Sequence, residues 1–202
     1  MIDKLLYERK FLFEGKKYVA GVDEVGRGPL AGPVVCCAVI MPLKDNDIIE
    51  GVDDSKKLSE SKREKLAALI REKAIAVSVA EVSPEEIDEI NILNAVKKCM
   101  TAAVNGLTVK PDITIVDGCD LKLGFNAEYV VKGDLKSYTV GCASIVAKVY
   151  RDEMMKKLAE KFPAYGFEKH KGYGTAAHIK AIKENGPCSL HRKTFIKNFW
   201  AE

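Results

Sequence analysis

The sequence predicts an α/β protein in which a mixed central sheet carries helices on its faces. Two observations predict it. Short apolar runs near residues 18–23, 34–41, 74–82, 113–116 and 129–131 are rich in β-branched residues and have strand length. Longer stretches with helical spacing and recognisable caps fall between and after them. The resulting order is two strands, a helix, a strand, helices, two strands, and helices to the end.

Residues 1–16 read as a short helix carrying Leu5, Leu6 and Arg9, closed by a polar turn at Glu14-Gly15-Lys16. Two strands follow, then a polar loop from Pro42 to Asp54. Asp54-Ser-Lys-Lys-Leu58 leads into a helix capped by Ser59 or Ser61. Ser61 with Glu64 fits a capping box, and Leu66, Leu69 and Ile70 form the apolar stripe. Ser83-Pro84-Glu85-Glu86 is a helix start, with a hydroxyl cap and proline at the first position. Another helix runs from about Asn91, placing Ile92, Ala95, Val96, Cys99, Met100 and Ala103 on one face, with Gly106 at its end. The run after Pro111 ends at Asp117-Gly118, and the next ends at Lys132-Gly133-Asp134. The longest helix is expected over about 141–161, stopped by Pro163. Thr175 caps a further helix to Glu184, and the basic, aromatic tail from Ser189 to Trp200 is a final turn or short helix packed on the domain.

A chain of 202 residues suits one domain, and an apolar fraction of 47% with 30% charged residues supplies a sizeable core without disulfides. The six cysteines form no C-x-x-C pair, which argues against a thiolate zinc site, and most lie in apolar runs as buried thiols. That favours a reducing compartment. The N-terminus lacks a signal-peptide core, and no run approaches the roughly 20 apolar residues of a membrane span. A cytoplasmic protein with no membrane partner is expected. The net charge of +3 does not by itself demand nucleic acid. Its distribution says more, with basic clusters at Lys56-Lys57, at Lys169 and Lys171, and from Arg192 to Lys197.

The chemistry gathers at the ends of apolar runs, where Asp23, Glu24, Asp117 and Asp134 stand. In layered α/β sheets the crevice beyond the strand ends is where ligands bind. Each acid alone reads equally well as a turn residue. Together they would repel strongly unless a cation intervened. Hard oxygen ligands without histidine or cysteine select Mg2+ or Mn2+ over Zn2+, and two such ions suit phosphoryl displacement. Gly26-Arg27-Gly28 follows the first acids directly. It formally satisfies G-x-G-x-x-A, but Pro29 and Pro33 intervene and the next segment is strand-like, so no dinucleotide-binding helix follows. Close backbone approach to a sugar–phosphate, with Arg27 nearby, is the better use of those glycines.

Asp23-Glu-Val-Gly-Arg-Gly28 resembles the opening signature of the ribonuclease HII family. Asp54-Ser-Lys-Lys-Leu58, Val116-Asp-Gly118, Val131-Lys-Gly-Asp134, Ala143-Ser-Ile-Val-Ala-Lys148, Arg151-Asp152 and Gly172-Tyr-Gly-Thr175 resemble further motifs of that family, in the same order. The resemblance covers roughly residues 18 to 196. It implies an RNase H-like fold, a five-stranded mixed sheet flanked by helices. It also implies a single catalytic domain over 1–202 with roughly 163–202 as a C-terminal helical extension.

The resemblance further implies that Asp23, Glu24, Asp117 and Asp134 bind divalent metal, Mg2+ or Mn2+, two ions per site. Gly26, Arg27 and Gly28 would contact a ribonucleotide, chiefly through backbone groups at its 2′-hydroxyl. Tyr173 would stack on the adjoining deoxyribose. The implied activity is endonucleolytic hydrolysis of RNA in RNA/DNA hybrids, with nicking 5′ to single ribonucleotides in duplex DNA, in the service of ribonucleotide excision repair. A monomer is expected. Lys56 and Lys57 are placed against phosphate, and Arg192, with Lys193 and Lys197, against the DNA backbone, although solvated segments would look the same. Asp152 reads as structural or as a neighbour of the metals. His170, His178 and His191 are scattered and make no ligand spacing. Another nuclease of the same fold or a non-catalytic nucleic-acid module would share parts of this pattern.

Overall fold

The computed structural model describes residues 3–200. Met1, Ile2, Ala201 and Glu202, which belong to the expected first helix and to the chain end, lie outside the described residues. A short helix α1 (Leu6–Phe13) precedes strands β1 (Val19–Val25) and β2 (Val34–Ile40), helix α2 (Glu60–Lys73) and strand β3 (Ala76–Val82). Helices α3 (Pro84–Ile90) and α4 (Ile92–Asn105) lead to β4 (Ile113–Asp117) and β5 (Ala127–Val130). The chain finishes through α5 (Gly133–Lys136), α6 (Tyr138–Lys161), α7 (Phe167–His170), α8 (Ala176–Asn185) and α9 (Lys193–Ile196).

The strands form one five-stranded sheet in the order β3-β2-β1-β4-β5. The β1–β2 and β2–β3 pairs are antiparallel, whereas β4 runs parallel to β1 and β5 parallel to β4. The sheet is therefore mixed, as the element order predicts. β2 lies between two strands and under helices on both faces, so every residue of Val34–Ile40 is buried. One face carries α4, whose Ala95, Val96, Cys99, Met100 and Ala103 pack on Ala20, Val22, Cys36 and Ala38. The other face carries α6 and α2, which enclose Cys37 and Val39 with Cys142, Ile145, Val146, Leu66 and Ile70. The second half of α6 joins α7–α9 in a smaller core of Ala31, Met155, Phe167, Ile182 and Ile196. Phe199 and Trp200 pack against that core, as expected of the tail.

Helix α6 begins at Tyr138, three residues before the expected start, because Ser137 caps it by accepting from the Val140 amide. Glu8 of α1 braces the same end. Its Oε1 accepts from Ser137 Oγ at 2.6 Å and from the Thr139 amide at 2.9 Å. Helix α2 resolves the choice of cap in favour of Ser59, which accepts from the Lys62 amide at 3.3 Å. Ser61 is already inside the helix, so the Ser61–Glu64 capping box does not form. Ser59→Ala should cost about 1 kcal/mol and Ser61→Ala no more than about 0.5 kcal/mol in urea unfolding. The reverse ranking would return the cap to Ser61.

Candidate active site

β1 places Asp23 and Glu24 side by side at the end of the central strand. Alternation sends them to opposite faces. The parallel register pairs Val22 with Val116, so Asp23 and Asp117 leave neighbouring strands at the same level. Adjacent strands lie about 4.8 Å apart, which brings these two carboxylates together. Asp134 arrives by a different route from the expected strand end. After β5 the chain turns through Lys132 at φ 58° and enters the short helix α5, with Asp134 in its first turn. The turn packs Gly133 on Asp117, whose Oδ1 accepts from the Gly133 amide at 2.5 Å.

Burial and mutual repulsion mark the cluster electrostatically. Desolvation, then the charges of Glu24 and Asp117, push the Asp23 carboxyl well above its ordinary range, eased by the Ser144 hydroxyl. Desolvation and Asp117 raise Glu24, against Arg27 and Lys56. Asp117 is raised by desolvation first and also by Asp134, while the Gly133 amide and Lys56 oppose the shift. The field of each carboxylate is thus felt by the next.

The loop expected to meet phosphate is anchored beneath the acids. Ser55 is buried and shares a 3.1 Å hydrogen bond with Ser144 of α6. Arg63 donates to the Ser55 carbonyl at 2.9 Å. Lys56 and Lys57 are exposed. The charge of Lys56 reaches Glu24 and Asp117, whereas that of Lys57 reaches Asp53. Asp152 is buried in a 2.7 Å ion pair with Lys148, one turn away on α6, which gives it a structural role.

Gly26 turns with φ +88°, and a Cβ there would overlap the Arg151 side chain. The turn delivers Arg27 to the acids, with its guanidinium 3.7 Å from the Glu24 carboxylate. Gly28 faces open space, with nothing within 4 Å of a Cβ built there. Tyr173 is 43% exposed, so its ring is available to a ligand. It sits on the loop between α7 and α8, and that loop joins the glycine loop through the Gly172 carbonyl, which accepts from the Leu30 amide at 2.8 Å.

The expectation for Arg192 requires correction. The residue is fully buried, and its guanidinium points inward to the carbonyls of Gly26, Arg27 and Gly32. It holds the glycine loop and presents no donor to a DNA backbone. Arg151, legible in the sequence only as part of the Arg151-Asp152 motif and with no role attached, holds the same loop from α6 by donating to the Pro33 and Ala31 carbonyls, and it also donates to the Lys171 carbonyl.

The histidines, scattered in sequence, meet in space. His178 and His191 are linked between their Nε2 atoms at 3.0 Å, and His170 stacks on His178 with ring centroids 4.4 Å apart. Burial, with His178 nearby, pushes His191 down to about 4, and burial lowers His178. Protons are therefore taken up by the unfolded chain from pH 6.5 downward, but by native His191 only near pH 4. The stability this ring contributes is full above pH 6.5 and falls between 6.5 and 4, by up to about 3 kcal/mol. His191→Gln should flatten the loss of stability between pH 7 and pH 5 in urea unfolding. An unchanged pH slope would contradict the assignment.

A model of the family described as ribonuclease HII matches residues 20–202. Ribonuclease HII of Caldicellulosiruptor bescii is 53% identical over 192 residues, covering 95% of this chain and 92% of that protein. The Acetivibrio thermocellus enzyme is 50% identical, over 98% of this chain and 77% of its own length. Among solved structures, ribonuclease H2 from Pyrococcus horikoshii OT3 superposes with a TM-score of 0.76 at 31% identity, covering 91% of this chain and 97% of that one. A structure of the PCNA:RNase HII complex from Archaeoglobus fulgidus matches with a TM-score of 0.75 at 34% identity, over 87% of this chain and 94% of that one. The strand-end acids, the glycine turn and these matches over most of the chain agree: the protein belongs to the ribonuclease HII family and is an RNase H endonuclease.

Proposed function

We propose that Asp23, Glu24, Asp117 and Asp134 form a divalent-metal site at which the enzyme hydrolyses RNA in RNA/DNA hybrids and nicks 5′ to single ribonucleotides in duplex DNA. The observation that carries the reading is the level register of Asp23 and Asp117 on neighbouring parallel strands, directly beside the Gly26–Gly28 turn.

Among the described residues no three acidic, histidine or cysteine side chains are grouped closely enough to hold a metal ion. The donor set nevertheless fits a hard cation. The groups are carboxylate oxygens whose protonation is favoured by burial and mutual repulsion, a cost that a cation would relieve. Mg2+ or Mn2+, two per site, would supply water activation and charge neutralisation for phosphodiester hydrolysis when bound. Asp23 and Asp117 would hold the central position, with Glu24 and Asp134 completing the set. Lys56 offsets the negative field as a phosphate approaches.

Water adds to phosphorus and the bond to the 3′-oxygen breaks, leaving 3′-hydroxyl and 5′-phosphate ends. The Gly26–Gly28 backbone provides rigid polar groups for the 2′-hydroxyl, the feature that distinguishes a ribonucleotide from its DNA neighbours. The Tyr173 ring packs on the following deoxyribose, where an added hydroxyl would be less welcome. Lys56 and Lys57 lie along the path of the phosphates.

The ends test this reading. With Mg2+ or Mn2+, a polymerase should extend the nicked strand directly, and the downstream fragment should carry a phosphate that phosphatase removes. Cyclic-phosphate ends, or no cleavage of either the hybrid or the single-ribonucleotide duplex, would overturn it.

A further inference from the structure

The two loops assigned to substrate reading are joined from beneath by one short turn, residues 188–192. Arg192 Nη1 donates to the Arg27 carbonyl at 3.0 Å, and Nη2 donates to the Gly26 carbonyl at 2.6 Å and the Gly32 carbonyl at 2.8 Å. Its own amide donates to the Leu30 carbonyl at 2.8 Å. The arginine therefore fixes the glycine loop by its backbone oxygens, which leaves the opposite side of that loop free for a ligand.

His191, the adjacent residue, reaches the other loop. His178 Nδ1 lies 2.9 Å from the Tyr173 carbonyl, which only accepts, so Nδ1 carries the proton. His178 Nε2 must then accept from His191 Nε2, 3.0 Å away. That leaves His191 Nδ1 as acceptor for the Cys188 amide at 2.9 Å. One directed chain of hydrogen bonds thus runs from Cys188 through two neutral imidazoles to the backbone of Tyr173. Ala31 and His191 form a β-bridge between the two systems. Gly172 makes the packing close, because a Cβ there would overlap the Ala31 carbonyl.

We propose that His191 and Arg192 are positioning residues that set the spacing between the Gly26–Gly28 turn and Tyr173, and so set the preference for a ribonucleotide–deoxyribonucleotide junction over a continuous hybrid. The proposal rests on the substrate reading above. The glycine turn serves both substrates, but Tyr173 meets a deoxyribose only at the junction. Loosening the spacing therefore costs the junction substrate more.

The test compares kcat/KM on a DNA duplex containing one ribonucleotide with kcat/KM on a continuous RNA/DNA hybrid. The wild-type chain, Arg192→Met, Arg192→Lys and His191→Gln would be measured, with amide exchange followed in the metal-free proteins. Arg192→Met should lower both values, but the junction value at least ten-fold more, with Arg192→Lys intermediate. Exchange should quicken in both loops for either Arg192→Met or His191→Gln, since each holds one end of the clip. If Arg192→Met does not melt cooperatively, His191→Gln carries the same test with the arginine in place. Equal losses on both substrates, or an unchanged ratio in folded variants, would overturn the proposal. Failure of the wild-type chain to nick the junction would strike the substrate reading first, before any variant is compared, and would remove the specificity claim with it.

Discussion

Asp23→Asn should abolish hydrolysis, by a factor of 10³ or more, while raising the melting temperature of the metal-free protein. The loss follows from what the carboxylate is asked to supply. Charge stabilisation by a held cation is worth several kcal/mol in the transition state, and each 1.36 kcal/mol is about ten-fold in rate. The gain follows from the cost of keeping this acid where it is. Asp23 is buried, and desolvation with the charges of Glu24 and Asp117 raises its carboxyl. A carboxyl raised in the folded state is penalised once the pH exceeds its unfolded value of 3.8, and the penalty grows until the folded group has ionised. Asparagine has the same shape without that charge. The stabilisation should therefore be present near pH 7 and vanish toward pH 3.8, amounting to roughly 3 °C for each kcal/mol relieved in a chain of this size. Scanning calorimetry at several pH values checks it. Loss of activity with loss of stability would make Asp23 a structural residue instead.

Gly21→Ala should be the most damaging single-methyl change in the sheet. The start of α6 lies directly on β1 here, and a Cβ at residue 21 would overlap the Thr139–Val140 peptide. That neighbour is backbone at the capped end of a 24-residue helix and cannot rotate aside. Either α6 lifts or β1 bends, and the proposed site depends on both, through Asp23 on β1 and the Ser144 hydroxyl that eases it from α6. Overpacking of this kind costs about 3 kcal/mol. A urea midpoint lowered by that amount is expected, with reduced cleavage in whatever fraction remains folded. A change below about 0.5 kcal/mol would show that the helix has room to move.

What the sequence revealed and what it hid divide along a physical line. The strands, the caps at Ser83 and Thr175, and the adjacency of Asp23, Glu24 and Gly26 are local patterns, written in residues a few positions apart. Asp117 was legible because an apolar run ends on it, and the parallel pairing of β4 with β1 then brings it beside Asp23. The roles of Arg151 and Arg192 were not legible. Their partners in the glycine loop are carbonyls 118 to 166 positions away, Arg151 also reaches the Lys171 carbonyl 20 positions on, and a carbonyl has no side-chain signature. Arg192 in a basic tail looks like a solvated or phosphate-facing charge until the glycine loop is folded over it. The histidine chain was hidden for the same reason, since its links join His178, His191 and the Tyr173 carbonyl across two loops. Asp88 shows the effect from the other side. It accepts from the Lys193 and Thr194 amides and so fastens the tail, yet nothing near it in sequence announces that role.

The measurement that bears most directly on the acidic quartet uses an end-labelled DNA duplex with one ribonucleotide and an all-DNA duplex of the same sequence. Each is incubated with the protein in Mg2+, in Mn2+ and in chelator, beside Asp23→Asn and Asp117→Asn. One nick 5′ to the ribonucleotide, dependent on metal and absent from the all-DNA duplex and from both variants, is the predicted result. Cleavage that persists in chelator, survives both substitutions or falls equally on the all-DNA duplex would contradict a metal site built on these acids and a loop that reads the 2′-hydroxyl.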